Sequence, residues 1–210
     1  MGRALVKESH DDAGQEAASA DAVAQDEDSR LMLRIAARDE RAFAALVSAH
    51  HGRVYALCRR MIGDDAEAED TAQEVFLKLW AHPTAWSPEG ARFSTWLYRV
   101  TANASIDRLR KRVPEPVDTI PDHADDRPGP AAALHNSQVA ARVEAALARL
   151  PDRQRLALVL TYYQGLSNRE AAAALEVNVD ALESLLARAR RSLKDELADE
   201  WRDLLGAGGQ

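Results

Sequence analysis

Cysteine occurs once in the 210 residues, at Cys58, so no intramolecular disulfide framework can hold the fold, and a reducing compartment suits the chain. Aromatic residues make up only 5% of it against 46% hydrophobic residues in all. The interior must therefore be built mostly from alanine and leucine, which favour helices packed through small side chains. No apolar run reaches the ~18 residues that a membrane-spanning helix needs. The opening stretch MGRALVKESHDDAGQEAASADAVAQDEDS lacks the apolar centre of a signal peptide. Internal repeats and the alternating pattern of half-buried strands are missing as well. The expectation is an all-α, soluble, cytoplasmic protein with no direct membrane insertion.

Patterns that carry catalysis are equally scarce. No zinc-ligand spacing, phosphate-binding loop or nucleophile elbow is present. The acidic run DDAEAED lacks the glycine and the closing glutamate of a calcium loop. His50 and His51 lie near Cys58, but a lone thiol on the apolar side of RVYALCRRM reads as core. The chain is expected not to be an enzyme and to need no cofactor or metal.

Charge is present and unevenly placed within a formal net of -7. Residues 1–30 hold eight acids against Arg3, Lys7 and Arg30, and residues 64–74, DDAEAEDTAQE, hold six acids and no base. Residues 91–112, ARFSTWLYRVTANASIDRLRKR, reverse this with six bases against Asp107. Phosphates respond to a local patch rather than to the total, so the global acidity does not exclude nucleic acid.

The same runs divide the chain. Residues 1–30, acidic, alanine-rich and aperiodic, are expected to be a disordered extension. Residues 31–112 read as helical throughout, and residues 113–134 as a linker. Five prolines between 114 and 130 remove backbone donors and disfavour helix before them. Residues 135–205 form a second helical block. The result is two small helical domains joined by an acidic, proline-rich tether.

In the second block, Pro151 breaks one helix, and DRQRLALVLTYYQG then places Leu156, Val159, Leu160 and Tyr163 on one face. Gly165 suits a left-handed cap, and Ser167 with Glu170 makes an S-x-x-E capping box that opens the next helix. After the interruption EVN, the last helix turns Leu182, Leu185, Leu186, Ala189 and Leu193 inward. Asp180, Glu183, Ser184, Arg188 and Arg191 face outward. Short helix, tight turn and longer helix with an arginine-ended polar face is helix-turn-helix geometry, although Glu176 stands where glycine is common. An ordinary helical hairpin is the competing reading of this stretch alone.

In the first block, Ala68, Ala72, Val75, Phe76 and Leu79 recur at helical spacing in DDAEAEDTAQEVFLKLW, and Asp70, Gln73 and Glu74 project from the opposite side. A loop with Pro88 and Gly90 comes next. It leads into a helix that interleaves Phe93, Trp96 and Tyr98 with Arg92, Arg99, Arg108, Arg110, Lys111 and Arg112. Rings among cations suit single-stranded nucleic acid, although the rings serve equally as core.

These stretches, in this order, resemble the extracytoplasmic-function (ECF) group of bacterial RNA polymerase sigma factors, group 4 of the sigma-70 family. The resemblance covers roughly residues 31–112 and 135–197. It implies a region 2-like domain that binds core RNA polymerase and captures the -10 element, and a region 4-like domain that reads the -35 element of promoter DNA. It places Asp70, Gln73 and Glu74 against the polymerase. Arg92, Phe93, Ser94, Asn103, Asp107, Arg108 and Arg112 fall on the -10 side, and Asp180, Glu183, Ser184, Arg188 and Arg191 on the -35 side. It also implies control by an anti-sigma factor in a stress or envelope response. In LESLL the chain departs from the basic recognition helices of the family, but the Glu183 carboxylate can accept from the amino group of cytosine. The alternative function is a sigma-like decoy that binds an anti-sigma factor without promoter activity.

Overall fold

The computed structural model describes residues 25–111 and 142–206, with side chains up to residue 198. Every regular element among the described residues is helical. Helix α1 spans residues 25–36, α2 Glu40–Ile62, α3 Asp65–Ala81 and α4 Phe93–Lys111. After the undescribed residues 112–141 come α5 over 142–149, α6 at Asp152–Leu158, α7 at Asn168–Ala174 and α8 at Val179–Gly206.

The breaks between helices arise from local chemistry. The Asp39 carboxylate accepts from the Arg41 and Ala42 amides at 2.9 and 3.2 Å and so starts α2, which Gly63 ends with a left-handed φ of 81°. Asp64 then caps α3 by accepting from the Glu67 amide at 2.9 Å. Asp65 and Glu67 sit in the first turn of α3, where the helix dipole favours acids. Ser167 and Glu170 form the capping box on α7, and the Asn178 side chain caps α8 by accepting from the Ala181 amide at 2.7 Å.

The first domain packs α3 and α4 on α2, with α1 laid against them. Leu46, Val54, Leu57, Cys58 and Met61 of α2 meet Ala68, Ala72, Val75 and Leu79 of α3 and Leu97 and Ala102 of α4, all buried. The boundary expected at residue 30 is displaced, because α1 begins at residue 25 and buries Asp28. Asp28 lies 2.7 Å from the His50 imidazole in the interior, and the Gln25 side-chain oxygen accepts from the Phe93 amide at 3.1 Å, capping α4 from another helix.

The second domain is built on α6, α7 and α8. Leu156, Val159 and Leu160 pack against Ala171, Ala172 and Leu175 of the α7 region and Leu182, Leu186 and Ala189 of α8. Leu185 and Leu193, also expected inside, are only partly buried against this core. Beyond Leu158 the chain makes one π-helical turn, Val159–Tyr163, closed by the Gln164 amide on the Val159 carbonyl at 3.0 Å. The wider turn shifts the helical phase, so Tyr163 leaves the expected inward face and is 42% exposed.

The two domains touch. Helix α7 packs along α4, and the π-turn and α6 reach α2. Arg155, 6% exposed, donates across the boundary to the Met61 carbonyl and within its own domain to the Leu147 and Ala148 carbonyls. Its fork thereby satisfies acceptors near the C-terminal ends of α2 and α5, where a cation is favoured.

Candidate nucleic-acid interface

Helix α4 presents two different sides. Phe93, Leu97, Thr101 and Ser105 recur every four residues and point inward. Phe93 is fully buried, 5.5 Å from Trp86 edge-to-face, 5.8 Å from Trp96 and 5.2 Å from the His50 ring. The expectation that Phe93 meets DNA is therefore corrected: it is the aromatic centre under the loop rather than a base platform. Trp96 and Tyr98 are buried too. The loop above is held by the Trp86 indole, which donates to the Ala91 carbonyl at 2.9 Å.

The outward stripe of α4 carries Arg99, Asn103, Asp107 and Arg110 at helical spacing, with Asn103, Asp107 and Arg110 exposed and Arg99 half-buried. Ser94 is half-buried at the start of the helix, and Arg92 is exposed just before it. Arg108 lies about 100° around the helix from Asp107. It faces α3, with its guanidinium 3.6 Å from Glu67, 3.5 Å from Asp70 and 3.7 Å from Glu74. Arg108 thus joins the acidic helix rather than the outward stripe. Arg112 lies outside the described residues.

On α3, Asp70, Gln73 and Glu74 are exposed as expected from the apolar spacing. One more residue shares their face: Leu77 is 61% exposed, three residues beyond Glu74. Its exposure could not be separated in the sequence from the buried Phe76 and Leu79 on either side.

On α8, Asp180, Glu183, Ser184, Arg188 and Arg191 all face solvent, while Leu182, Leu186 and Ala189 hold the helix to α6 and α7. The Glu183 carboxylate accepts from the Asn168 amide of α7 at 3.4 Å. Arg190 instead turns sideways, donating to the Tyr162 hydroxyl at 3.0 and 2.6 Å with its cation 5.6 Å from that ring. This brings the π-turn tyrosines to the edge of the helix-turn-helix, a feature that the sequence pattern does not reveal. The turn itself contains Glu176 with a φ of 55°, a left-handed conformation in a residue with a side chain.

The two surfaces are not independent. Arg92 is 3.8 Å from Glu170 and Arg99 is 3.4 Å from Glu176. The Tyr98 hydroxyl donates to the Gln164 side chain at 3.1 Å, and the Gln164 amide donates to the Arg53 carbonyl at 3.3 Å. The Arg60 guanidinium lies 4.0 Å over the Tyr163 ring. Ser167 and then Arg92 hold the Glu170 carboxyl below the usual carboxylate range.

Among the described residues no group of three or more His, Cys, Asp or Glu side chains is placed to hold a metal ion. No helix among them is long and apolar enough to cross a membrane.

Residues 46–114 match the family model of Sigma-70 region 2, and residues 140–193 match that of Sigma-70, region 4. The ECF RNA polymerase sigma factor SigE of Mycolicibacterium smegmatis is 37% identical over 160 residues, covering 73% of this chain and 60% of that relative. The ECF RNA polymerase sigma factor SigW of Bacillus subtilis is 31% identical over 172 residues, covering 77% of this chain and 91% of that relative. Of solved structures, CnrH in complex with the cytosolic domain of CnrY superposes with a TM-score of 0.61 at 29% identity, over 82% of this chain and 98% of that one. The Bartonella quintana sigma factor RpoE, solved with the anti-sigma factor NepR, superposes with a TM-score of 0.56 over 74% of this chain and 96% of that one. At 23% identity the latter likeness is one of fold.

Proposed function

This chain belongs to the extracytoplasmic-function group of the sigma-70 family, and from that premise we propose that it directs core RNA polymerase to a specific set of promoters and starts transcription there. The observation that carries the reading is the helix-turn-helix of α7 and α8, whose outward face keeps Asp180, Glu183, Ser184, Arg188 and Arg191 in solvent above a packed apolar stripe. A helix of this form fits the major groove with its early residues on base edges and its later arginines on phosphates.

The first domain supplies the other half of the task. The face of α3 formed by Asp70, Gln73, Glu74 and Leu77 binds the polymerase: carboxylates and an amide surround one exposed leucine, an apolar anchor with a polar rim. Arg92, Ser94 and the stripe of Arg99, Asn103, Asp107 and Arg110 serve the -10 element, cations tracking the backbone and Asn103 and Asp107 offering hydrogen bonds to bases. With Phe93 buried, bases are captured in pockets or on backbone rather than stacked on that ring. The role is regulatory rather than catalytic, and its place is the cytoplasm, where bacterial core polymerase works. A partner protein, an anti-sigma factor, controls it, as family membership supports; the structurally similar CnrH was solved in complex with another protein, the cytosolic domain of CnrY.

Run-off transcription with purified core polymerase tests the reading. Discrete transcripts from a promoter library that depend on this chain are the expected result. Polymerase binding without any promoter-specific transcript would favour the decoy instead.

A further inference from the structure

The inward stripe of α1 changes character along its length. Leu31, Met32 and Ile35 hold its C-terminal half in the core, and apolar residues could serve equally at the other end. Instead Gln25 and Asp28, three residues apart and so on one side of the helix, turn polar groups inward. Burial of a carboxylate such as Asp28, 7% exposed, is unfavourable without a partner. The partners of both residues lead to one place. The Phe93 amide donates to the Gln25 side-chain oxygen at 3.1 Å. Asp28 lies 2.7 Å from the His50 imidazole, which packs edge-to-face with the Phe93 ring at 5.2 Å. Phe93 stands in the chain between Arg92 and Ser94. Its ring also supports Trp86 at 5.5 Å, the one buried residue between Thr84 and Arg92.

We propose that Gln25 and Asp28 are positioning residues for the -10 site: Gln25 fixes the peptide that joins Arg92 to Phe93, and Asp28, through His50, fixes the ring beneath the loop. The inference rests on the assignment of Arg92, Ser94 and the outward stripe of α4 to the -10 element. Neither Gln25 nor Asp28 needs to touch DNA. The Trp86 indole on the Ala91 carbonyl and the Gly90 amide on the Ser87 carbonyl, at 2.9 and 3.1 Å, are bonds within the loop and give it a shape. The contacts from α1 set where that shape stands on the domain, as supporting groups hold a binding site in register. One hydrogen bond of this kind biases a local equilibrium by a factor of roughly two to ten. Its loss lowers the fraction of chains whose loop is ready for the melted strand, and the apparent affinity falls with that fraction.

The test uses the full chain assembled with core polymerase, at a temperature where every variant is folded. Gln25 is half-buried, so Gln25→Ala removes an acceptor without opening the core. Selection from a promoter library randomised at both elements should show the base preference at the -10 element reduced roughly two- to tenfold, with the -35 preferences unchanged. Permanganate reactivity of -10 thymines should rise more slowly by a similar factor, while the affinity for core polymerase stays at the wild-type value. Gln25→Glu keeps an acceptor for the Phe93 amide and should restore both readouts. Asp28→Ala should act in the same direction, and Asp28→Asn, which still offers an oxygen to His50, should restore much of the loss. A purely structural role predicts something else: a lower melting temperature with -10 selection and opening intact in the folded variants. That result, or an equal loss of preference at both elements, overturns the proposal. Failure of the underlying assignment is separable, because Arg92→Ala and Ser94→Ala would then leave the -10 preference at full strength, and this inference would fall with it.

Discussion

The Arg108 guanidinium lies 3.5 Å from the Asp70 carboxylate, with Glu67 and Glu74 on its other sides. A cation expected on the DNA side of α4 is instead shared among three carboxylates of α3, and Asp70 and Glu74 of these are the residues assigned to the polymerase. The contacts of 3.5–3.7 Å are longer than ideal charged hydrogen bonds, so the cluster moderates a negative face more than it clamps one.

Arg108→Ala is therefore expected to leave the salt dependence of promoter binding by the holoenzyme unchanged. Arg92→Ala should lower its slope by about one phosphate contact. Measuring log K against log salt for both variants decides the matter. A slope reduced equally by Arg108→Ala would mean that Arg108 swings to DNA in the complex.

Leu77 offers a sharper handle on the proposed polymerase face than its charged neighbours. At 61% exposure it contributes little to the core, so Leu77→Ala should leave the melting temperature within about a degree or two. As a central apolar anchor it should cost about 1–2 kcal/mol of polymerase affinity. Asp70→Lys with Glu74→Lys should weaken the same interaction, more strongly at low salt. Titrations with core polymerase that gave wild-type affinity for all of these folded variants would remove α3 from the interface.

Much of this is legible in local pattern. Ala68, Ala72, Val75, Phe76 and Leu79 announce the buried side of α3, and Ser167 with Glu170 announces the start of α7, because helix periodicity and capping are determined within four residues. The illegible part depends on partners far along the chain. Gln25 and Asp28 sit in a stretch whose average composition reads as disorder, yet they act on Phe93 and His50, 68 and 22 residues away. Arg99 finds Glu176 at a separation of 77 residues. Periodicity misplaces Tyr163 because one π-turn breaks the 3.6-residue phase that sets its direction. Phe93 is ambiguous for a different reason: rings among arginines satisfy a core and a base platform equally well, and only the fold decides.

The partners of α1 make a truncation informative. A chain starting at Gln25 should keep the stability of the first domain, whereas one starting at Leu31 loses the Gln25 cap on α4 and leaves His50 buried without Asp28. An unsatisfied buried polar group and a lost cap together should cost about 2–4 kcal/mol in denaturant unfolding. Equal midpoints for the two truncations would show that α1 is dispensable.

Burial pushes the Cys58 thiol up to about 11, partly countered by the Ser105 hydroxyl directed at its sulfur at 3.7 Å. The folded value lies above the ordinary one, so this contribution to stability is complete below about pH 9 and disappears as pH rises through about 11. Two units correspond to at most roughly 3 kcal/mol. The buried Tyr98 titrates in the same direction, so the comparison must be made with Cys58→Ala. The wild-type chain should lose more stability than that variant between pH 9 and 11, and native Cys58 should resist alkylation at pH 8. Rapid native alkylation would contradict the packing.

The proposed recognition helix α8 separates reading from folding. Leu182 is fully buried and Leu185 only partly so. Leu182→Ala should therefore destabilise the second domain by about 2–5 kcal/mol through transfer and cavity terms, with Leu185→Ala costing less. Glu183 should behave differently. It is exposed, and its carboxylate is oriented by Asn168 from the neighbouring helix, a second contact that fixes the direction it presents to a groove. A carboxylate there can accept from the cytosine amino group, and one such contact is worth about 1–3 kcal/mol of base discrimination. Glu183→Ala should relax selection at one -35 position while leaving stability unchanged, and Asn168→Ala should blunt the same preference more weakly. Selection from a randomised promoter library reads both effects at once. If the Glu183 variant kept every wild-type base preference at full strength, this face of α8 would not be the reader.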